Sequence, residues 1–145
     1  MEILSPAGSP EAVRAAVCAG ANAVYLGFGN FNARRNARNF TEEELAEAIL
    51  YCHLRGVKLY LTLNTLASDR ELPDAAALAV KASQMGMDAV LVQDMGLVRT
   101  LRQVVPDLPV HASTQMSIHS LDGAKAAAKA AEDAVARIDD DGVFT

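Results

Sequence analysis

The stretch "AGANAVYLGFG" (Ala19 to Gly29) returns 66 residues later as "MGMDAVLVQDMG" (Met85 to Gly96). Each copy runs through a small or apolar residue, a glycine, a polar residue and Ala-Val into an apolar run. "RGVKLYLTLN" (Arg55 to Asn64) is a looser third copy. Gly20, Gly56 and Gly86 each follow an amphipathic stretch and precede an apolar one. A glycine there ends a helix in the left-handed conformation without Cβ strain, so the repeat predicts helix, tight turn, strand.

Working outward, the helix starts agree. Thr41 with Glu44 three residues on predicts a capping box, and Leu45, Ala48, Ile49 and Cys52 recur at helical spacing behind it. Ser9-Pro10 and Pro73 mark two further starts. Predicted strands are Ile3-Leu4, Ala23–Leu26, Lys58–Leu63, Ala89–Val92 and Val110–Ala112. Their almost wholly apolar character suits a parallel sheet covered on both faces. Predicted helices cover Pro10–Ala19, Glu42–Arg55, Pro73–Met85, Gly96–Val104 and Leu121–Ile138. Five tandem βα units imply an α/β fold with right-handed crossovers, either an open doubly wound sheet or part of an eightfold barrel.

The 145 residues are about one domain's length, 51% hydrophobic and 21% charged. No apolar run reaches the roughly 18 residues that span a bilayer, and the N-terminus lacks a secretory pattern, so no membrane partner and a cytoplasmic location are expected. The net charge of −5 argues against broad nucleic-acid binding but leaves room for a local basic patch at Arg34, Arg35 and Arg38. Cys18 and Cys52 form no CxxC pair and read as buried small hydrophobes. Two thiols cannot hold a four-iron cluster, no zinc spacing is present, and no metal site is expected from the residues alone. No GxSxG elbow, P-loop or GxGxxG fingerprint occurs in the sequence.

Polar residues gather after the strands rather than before them. Ser5 and Gly8 follow the first strand. "FNARRNARNF" (Phe31 to Phe40), with three arginines and three asparagines, follows the second. Asn64 and Thr65 follow the third, Gln93 and Asp94 the fourth. His111, Ser113, Thr114, Gln115, Ser117 and His119 lie in or after the fifth. Ligands of both α/β architectures bind at this end of the strands.

The arginine segment could grip a carboxylate or phosphate, or pair with Glu42, Glu43 and Glu44 beyond it. The candidate catalytic residues are His111, Asp94 and Gln93. The candidate substrate-binding residues are Asn32, Arg35, Asn39, Asn64, Ser113 and Gln115. His111 could be a base, a donor or a core histidine in a buried strand. Asp94 could orient a base, bind a cation or cap the following helix. His53 is expected to face solvent or the helix dipole.

Five blocks, "LSPAGSPEA" (Leu4 to Ala12), "AVYLGFGNFNARRNARNF" (Ala23 to Phe40), "YLTLNTL" (Tyr60 to Leu66), "VQDMGL" (Val92 to Leu97) and "HASTQMSIHS" (His111 to Ser120), resemble the N-terminal part of the collagenase-like peptidases, peptidase family thirty-two of the unknown-mechanism class. The resemblance implies a TIM-like (β/α)8 barrel, here about five of eight units, and a bacterial or archaeal source. It implies a peptidase acting on peptide, with RNA-modifying hydroxylation of a pyrimidine as the alternative activity and RNA as the alternative substrate. It also implies that relatives carry an iron–sulfur cluster through cysteines downstream of this chain.

Residues 1–124 are expected to form the N-terminal part of the barrel. Residues 125–145 read as a divergent Ala/Lys-rich helix and acidic tail. A whole barrel needs about 250 residues. Five units leave sheet edges and an inner face open, so self-association or a missing C-terminal barrel half is the expected partner. An anion-binding module or an inactive fragment are the readings that stand beside the enzyme.

Overall fold

The computed structural model of the chain describes residues 1–33 and 39–141, with side chains through residue 132. Its elements follow in strict alternation. They are β1 (Leu4–Pro6), α1 (Pro10–Cys18), β2 (Ala23–Leu26), α2 (Glu42–His53), β3 (Lys58–Leu63), α3 (Leu72–Met85), β4 (Ala89–Val92), α4 (Met95–Val104), β5 (Val110–Ala112), a one-turn 3-10 helix (Thr114–Met116) and α5 (Leu121–Asp141).

All five strands are parallel and lie in chain order, β1-β2-β3-β4-β5. Register is continuous: Val24 beside Leu59, Leu61 beside Val90, and Val90 beside Val110. This is the arrangement of a partial (β/α) barrel. Consecutive units sit side by side, so the C-terminal ends of all five strands share one rim.

The repeat glycines do what the repeat predicts. Gly20, Gly56 and Gly86 have φ of +95°, +69° and +103°, values that strain any residue with a Cβ. The helix starts agree as well. Ser9 accepts from Ala12 N at 3.2 Å, and Thr41 and Glu44 make a reciprocal capping box. The first strand begins one residue later than expected. Ile3 N donates to the Asn22 side chain at 2.8 Å, and Ile3 O accepts from Asn22 N and Ala23 N. Ladder pairing therefore starts at Leu4.

The main core lies between the sheet and its helices. Val24, Leu26, Leu59, Leu61, Leu63, Val90 and Val92 point from the strands toward buried Leu45, Ala79 and Leu101. The alternate strand positions form a smaller cluster on the inner face, with Ala23, Tyr60 and Ala89 buried and Tyr25 and Leu91 packed against them. Side chains one apart on a strand serve opposite faces, which is why these strands read as unbroken apolar runs.

Two burial expectations are corrected. Cys52 is fully buried, and burial pushes its thiol above the ordinary range, but Cys18 is exposed. On α1 the buried residues are Val13 and Ala16, and Cys18 follows two positions later on the opposite side of the helix. His111 is exposed rather than buried, because β5 pairs only with β4 among the described residues and its inner face is open.

His53 is also exposed, and it hydrogen-bonds Asp88 at 2.8 Å. Among the described residues, no helix is long and apolar enough to cross a membrane.

Candidate functional site

The rim at the C-terminal strand ends is built from carboxamides and hydroxyls. After β2 the chain passes Gly27, where a Cβ would lie only 3.0 Å from the Asn32 side chain. That close approach lets Asn32 sink to 2% exposure. Its Nδ2 donates to Gly29 O at 3.0 Å and to Asn39 Oδ1 at 3.3 Å, while Asn39 Nδ2 donates to the same Gly29 O at 2.9 Å. Two amides thus clamp the entry and exit of the loop.

Thr62 and Asn64 lie on the inner side of β3 and at its end. Thr62 Oγ1 donates to Leu26 O at 3.0 Å, tying β3 to β2. Asn64 Oδ1 accepts from Ala33 N at 3.0 Å, which turns its amide nitrogen toward β5. There Nδ2 reaches Ser113 Oγ and Gln115 Oε1, each at 3.3 Å. Ser113 Oγ donates to Gln115 Oε1, and Thr114 Oγ1 does so at 3.2 Å. From β4, Gln93 Nε2 holds the backbone oxygen of Gln115 at 3.2 Å. The result is one hydrogen-bonded arc across the ends of β2, β3, β4 and β5.

The arc borders a cleft of about 680 Å³, lined by Asn32, Asn39, Thr62, Asn64, Ser113 and Gln115 among others. An adjoining space of about 860 Å³ shares Asn39, Asn64 and Gln115 and is also lined by Gln93 and Asp74. Both volumes fall in the roughly 300–1,000 Å³ range of small-ligand sites. Chemically the cleft presents mostly neutral groups that donate and accept, with Tyr25 bringing a phenol and no carboxylate, imidazole or ammonium among the described residues of its wall.

Of the residues selected from sequence, Asn32, Asn39, Asn64, Ser113 and Gln115 come together here, and Gln93 lines the adjoining space. Arg35 lies outside the described residues, as do Arg34 and Arg38. His111 and Asp94 line neither space. The His111 ring meets Tyr60 edge-on, with centroids 4.9 Å apart, deeper on the inner face. Asp94 caps α4 by accepting from Leu97 N at 2.9 Å, and its other oxygen accepts from Ala67 N at 3.4 Å.

Thr62 is masked in the sequence by the apolar run in which it sits. Its position two before Asn64, on the same side of the strand, was the available signal. Thr114 stands among the polar residues after the fifth strand, but the one-turn 3-10 helix that aims it has no sequence period of its own.

A resident iron–sulfur cluster does not fit the residues present. Cys18 and Cys52 differ in burial and sit on different helices. Among the described residues no three His, Cys, Asp or Glu side chains gather at metal-binding distance.

Comparison with known proteins matches residues 8–136 to the sequence model of peptidase family U32. The chain is 42% identical over 125 residues to the 23S rRNA 5-hydroxycytidine synthase of Escherichia coli, covering 86% of this chain and 18% of that protein. It is 35% identical over 117 residues to tRNA hydroxylation protein P1 of Bacillus subtilis, and 36% identical over 118 residues to a collagenase of Porphyromonas gingivalis. Each of these matches covers 81% of this chain and 28% of the relative. The chain therefore spans less than a third of the length of these relatives. In fold it is similar to the U32 peptidase Mk0906, with a TM-score of 0.70 at 18% identity, covering 90% of this chain and 56% of that one.

Proposed function

The chain belongs to peptidase family U32, and from that membership we propose that it forms the substrate-binding part of an enzyme that hydroxylates a pyrimidine base in RNA. The observation that carries this reading is the neutral carboxamide arc at the strand ends. A nucleobase edge alternates donors and acceptors, and carboxamides match such edges without charge. Enzymes that act on a base take it from the stack and read it in a cleft through its exposed edge, as single-stranded RNA readers do.

Two further facts support it. Relatives named for rRNA and tRNA hydroxylation stand at 42% and 35% identity. The segment holding Arg34, Arg35 and Arg38 offers guanidinium groups for phosphate, and its flanking residues Ala33 and Asn39 both line the cleft.

A peptidase is the second reading, favoured by the 36% identity to a collagenase. A serine nucleophile needs a base within hydrogen-bond reach. The hydrogen-bond partners of the Ser113 hydroxyl are Asn64 and Gln115, and neither carries an imidazole or a carboxylate.

Deleting the gene and profiling rRNA and tRNA by mass spectrometry separates the two. Loss of one hydroxylated pyrimidine, restored by the wild-type gene, is the expected result. Unchanged RNA together with peptide cleavage by the purified protein would overturn the proposal in favour of the peptidase.

A further inference from the structure

Three hydrogen-bond donors converge on one oxygen in the cleft wall. Asn64 Nδ2, Ser113 Oγ and Thr114 Oγ1 all point at Gln115 Oε1. A carbonyl oxygen carries two lone pairs, so three donors exceed what it accepts well. The arrangement is organised by the donors rather than by the glutamine.

Asn64 is fixed from its other end, where Oδ1 accepts from Ala33 N at 3.0 Å. Ser113 is buried, and its backbone N donates to Val92 O at 2.9 Å, extending the β4–β5 ladder. Gln115, by contrast, is exposed and sits on a single 3-10 turn. Two fixed donors, Asn64 and Ser113, with Thr114 beside them on the turn, thus face a side chain that can swing away into the cleft it borders.

The group that fills this spot is an amide, a carbonyl bonded to nitrogen. The C2 carbonyl of a pyrimidine beside N3 has the same local chemistry, and in cytosine it is the ring's only carbonyl. Seating a pyrimidine by C2 leaves the distant C5 edge unobstructed for hydroxylation.

We propose that Asn64, Ser113 and Thr114 form the seat for the C2 carbonyl oxygen of the substrate pyrimidine, and that the Gln115 side chain occupies this seat until the base displaces it. The inference rests on the RNA reading above and names the atom of the substrate that the cleft recognises.

The test uses the intact protein and short oligoribonucleotides carrying cytidine, 2-thiocytidine or an abasic site, titrated by fluorescence anisotropy. Sulfur accepts hydrogen bonds more weakly than oxygen. Wild-type protein is expected to bind the thio oligonucleotide about tenfold more weakly than the cytidine one. In a Ser113→Ala/Thr114→Val variant that oxygen-to-sulfur ratio shrinks to below about twofold. Gln115→Ala binds both oligonucleotides several-fold tighter and keeps the ratio, because nothing has to be displaced.

A wild-type protein that binds the cytidine oligonucleotide above the abasic control, yet equally with oxygen or sulfur, overturns the seat and leaves the RNA reading standing. An unchanged ratio in the double variant does the same. A wild-type protein that does not distinguish cytidine from the abasic control overturns both, visibly and before any variant is made. Binding of a collagen peptide weakened by the double variant, with RNA ignored, assigns the seat to a peptide carbonyl and likewise overturns the pyrimidine proposal.

Discussion

At the strand entrances the side chains of Asn22 and Asp88 reach sideways to the backbone of the preceding strand. At the strand exits Asn64, Ser113, Thr114 and Gln115 reach toward one another. The entrance pair occupies equivalent positions in the sequence repeat and does equivalent work. Asn22 accepts from Ile3 N at 2.8 Å, and Asp88 accepts from Leu59 N at 2.7 Å. The Leu59 N–H lies on a fully buried residue that water does not reach, so its bond to Asp88 is needed permanently. The bonds among these four exit residues join side chain to side chain, and a ligand can replace them at little cost. Asp88 at the entrance holds the fold, and the Asn64, Ser113, Thr114 and Gln115 cluster at the exit can exchange partners.

The sharpest way to break this contrast is to exchange the outcomes of two substitutions. Asn64→Ala is expected to lower RNA hydroxylation by about a hundredfold through misplacement of the base. It should lower stability by only about 1 kcal/mol, because Ala33 N is exposed and water can replace the lost acceptor. Asp88→Ala should do the opposite. Leaving Leu59 N without an acceptor is expected to destabilise by about 2 kcal/mol in urea titration, with activity per folded molecule unchanged. If Asp88→Ala abolished activity in a fully stable protein, the division between the rims would be wrong.

Gly27→Ala sharpens the comparison within the exit rim. Its methyl would push on the Asn32 amide and loosen the clamp on Gly29 and Asn39. RNA affinity should fall by about five- to tenfold, the worth of roughly one hydrogen bond, with a shift in urea midpoint too small to account for it.

The smallest effect concerns the inner face near the entrances. Burial, followed by the hydrogen bond it donates to Glu2, pushes the Tyr60 hydroxyl up to about 12. Its folded form therefore keeps a proton that the unfolded chain loses near 10. This stabilisation is complete below pH 10 and fades as pH rises from 10 to 12. Tyr60→Phe should remove that part of the alkaline loss, read as the difference between wild-type and variant urea titrations across this window.

Much of this architecture could be read from the chain because its signals are local. A left-handed glycine after an amphipathic run, a Thr-x-x-Glu cap and an apolar run are each decided within about ten residues, and each identified a real element. The shared rim also followed, since parallel units in tandem bring their strand ends together. What escaped depends on neighbours. His111 sits in an apolar-looking strand, but its exposure is set by the absence of a sixth strand beside β5 among the described residues. Cys18 and Cys52 look alike in sequence and differ because α1 buries only a narrow stripe. Asp94 could be read as chemistry or as a cap, and only the backbone N–H of Leu97 in front of it reveals the capping bond. The convergence on Gln115 depends on a 3-10 turn that no periodicity announces.

The identity between strand order and chain order bears on how the molecule is made. Among the described residues, β2, β3, β4 and β5 each pair with the strand of the unit just before, so these four pairings wait for no distant segment. A polypeptide leaving the ribosome can add each unit to a growing sheet as soon as its strand and helix are out. Ordered growth of this kind keeps the search for contacts short and confines a pairing mistake to the newest unit.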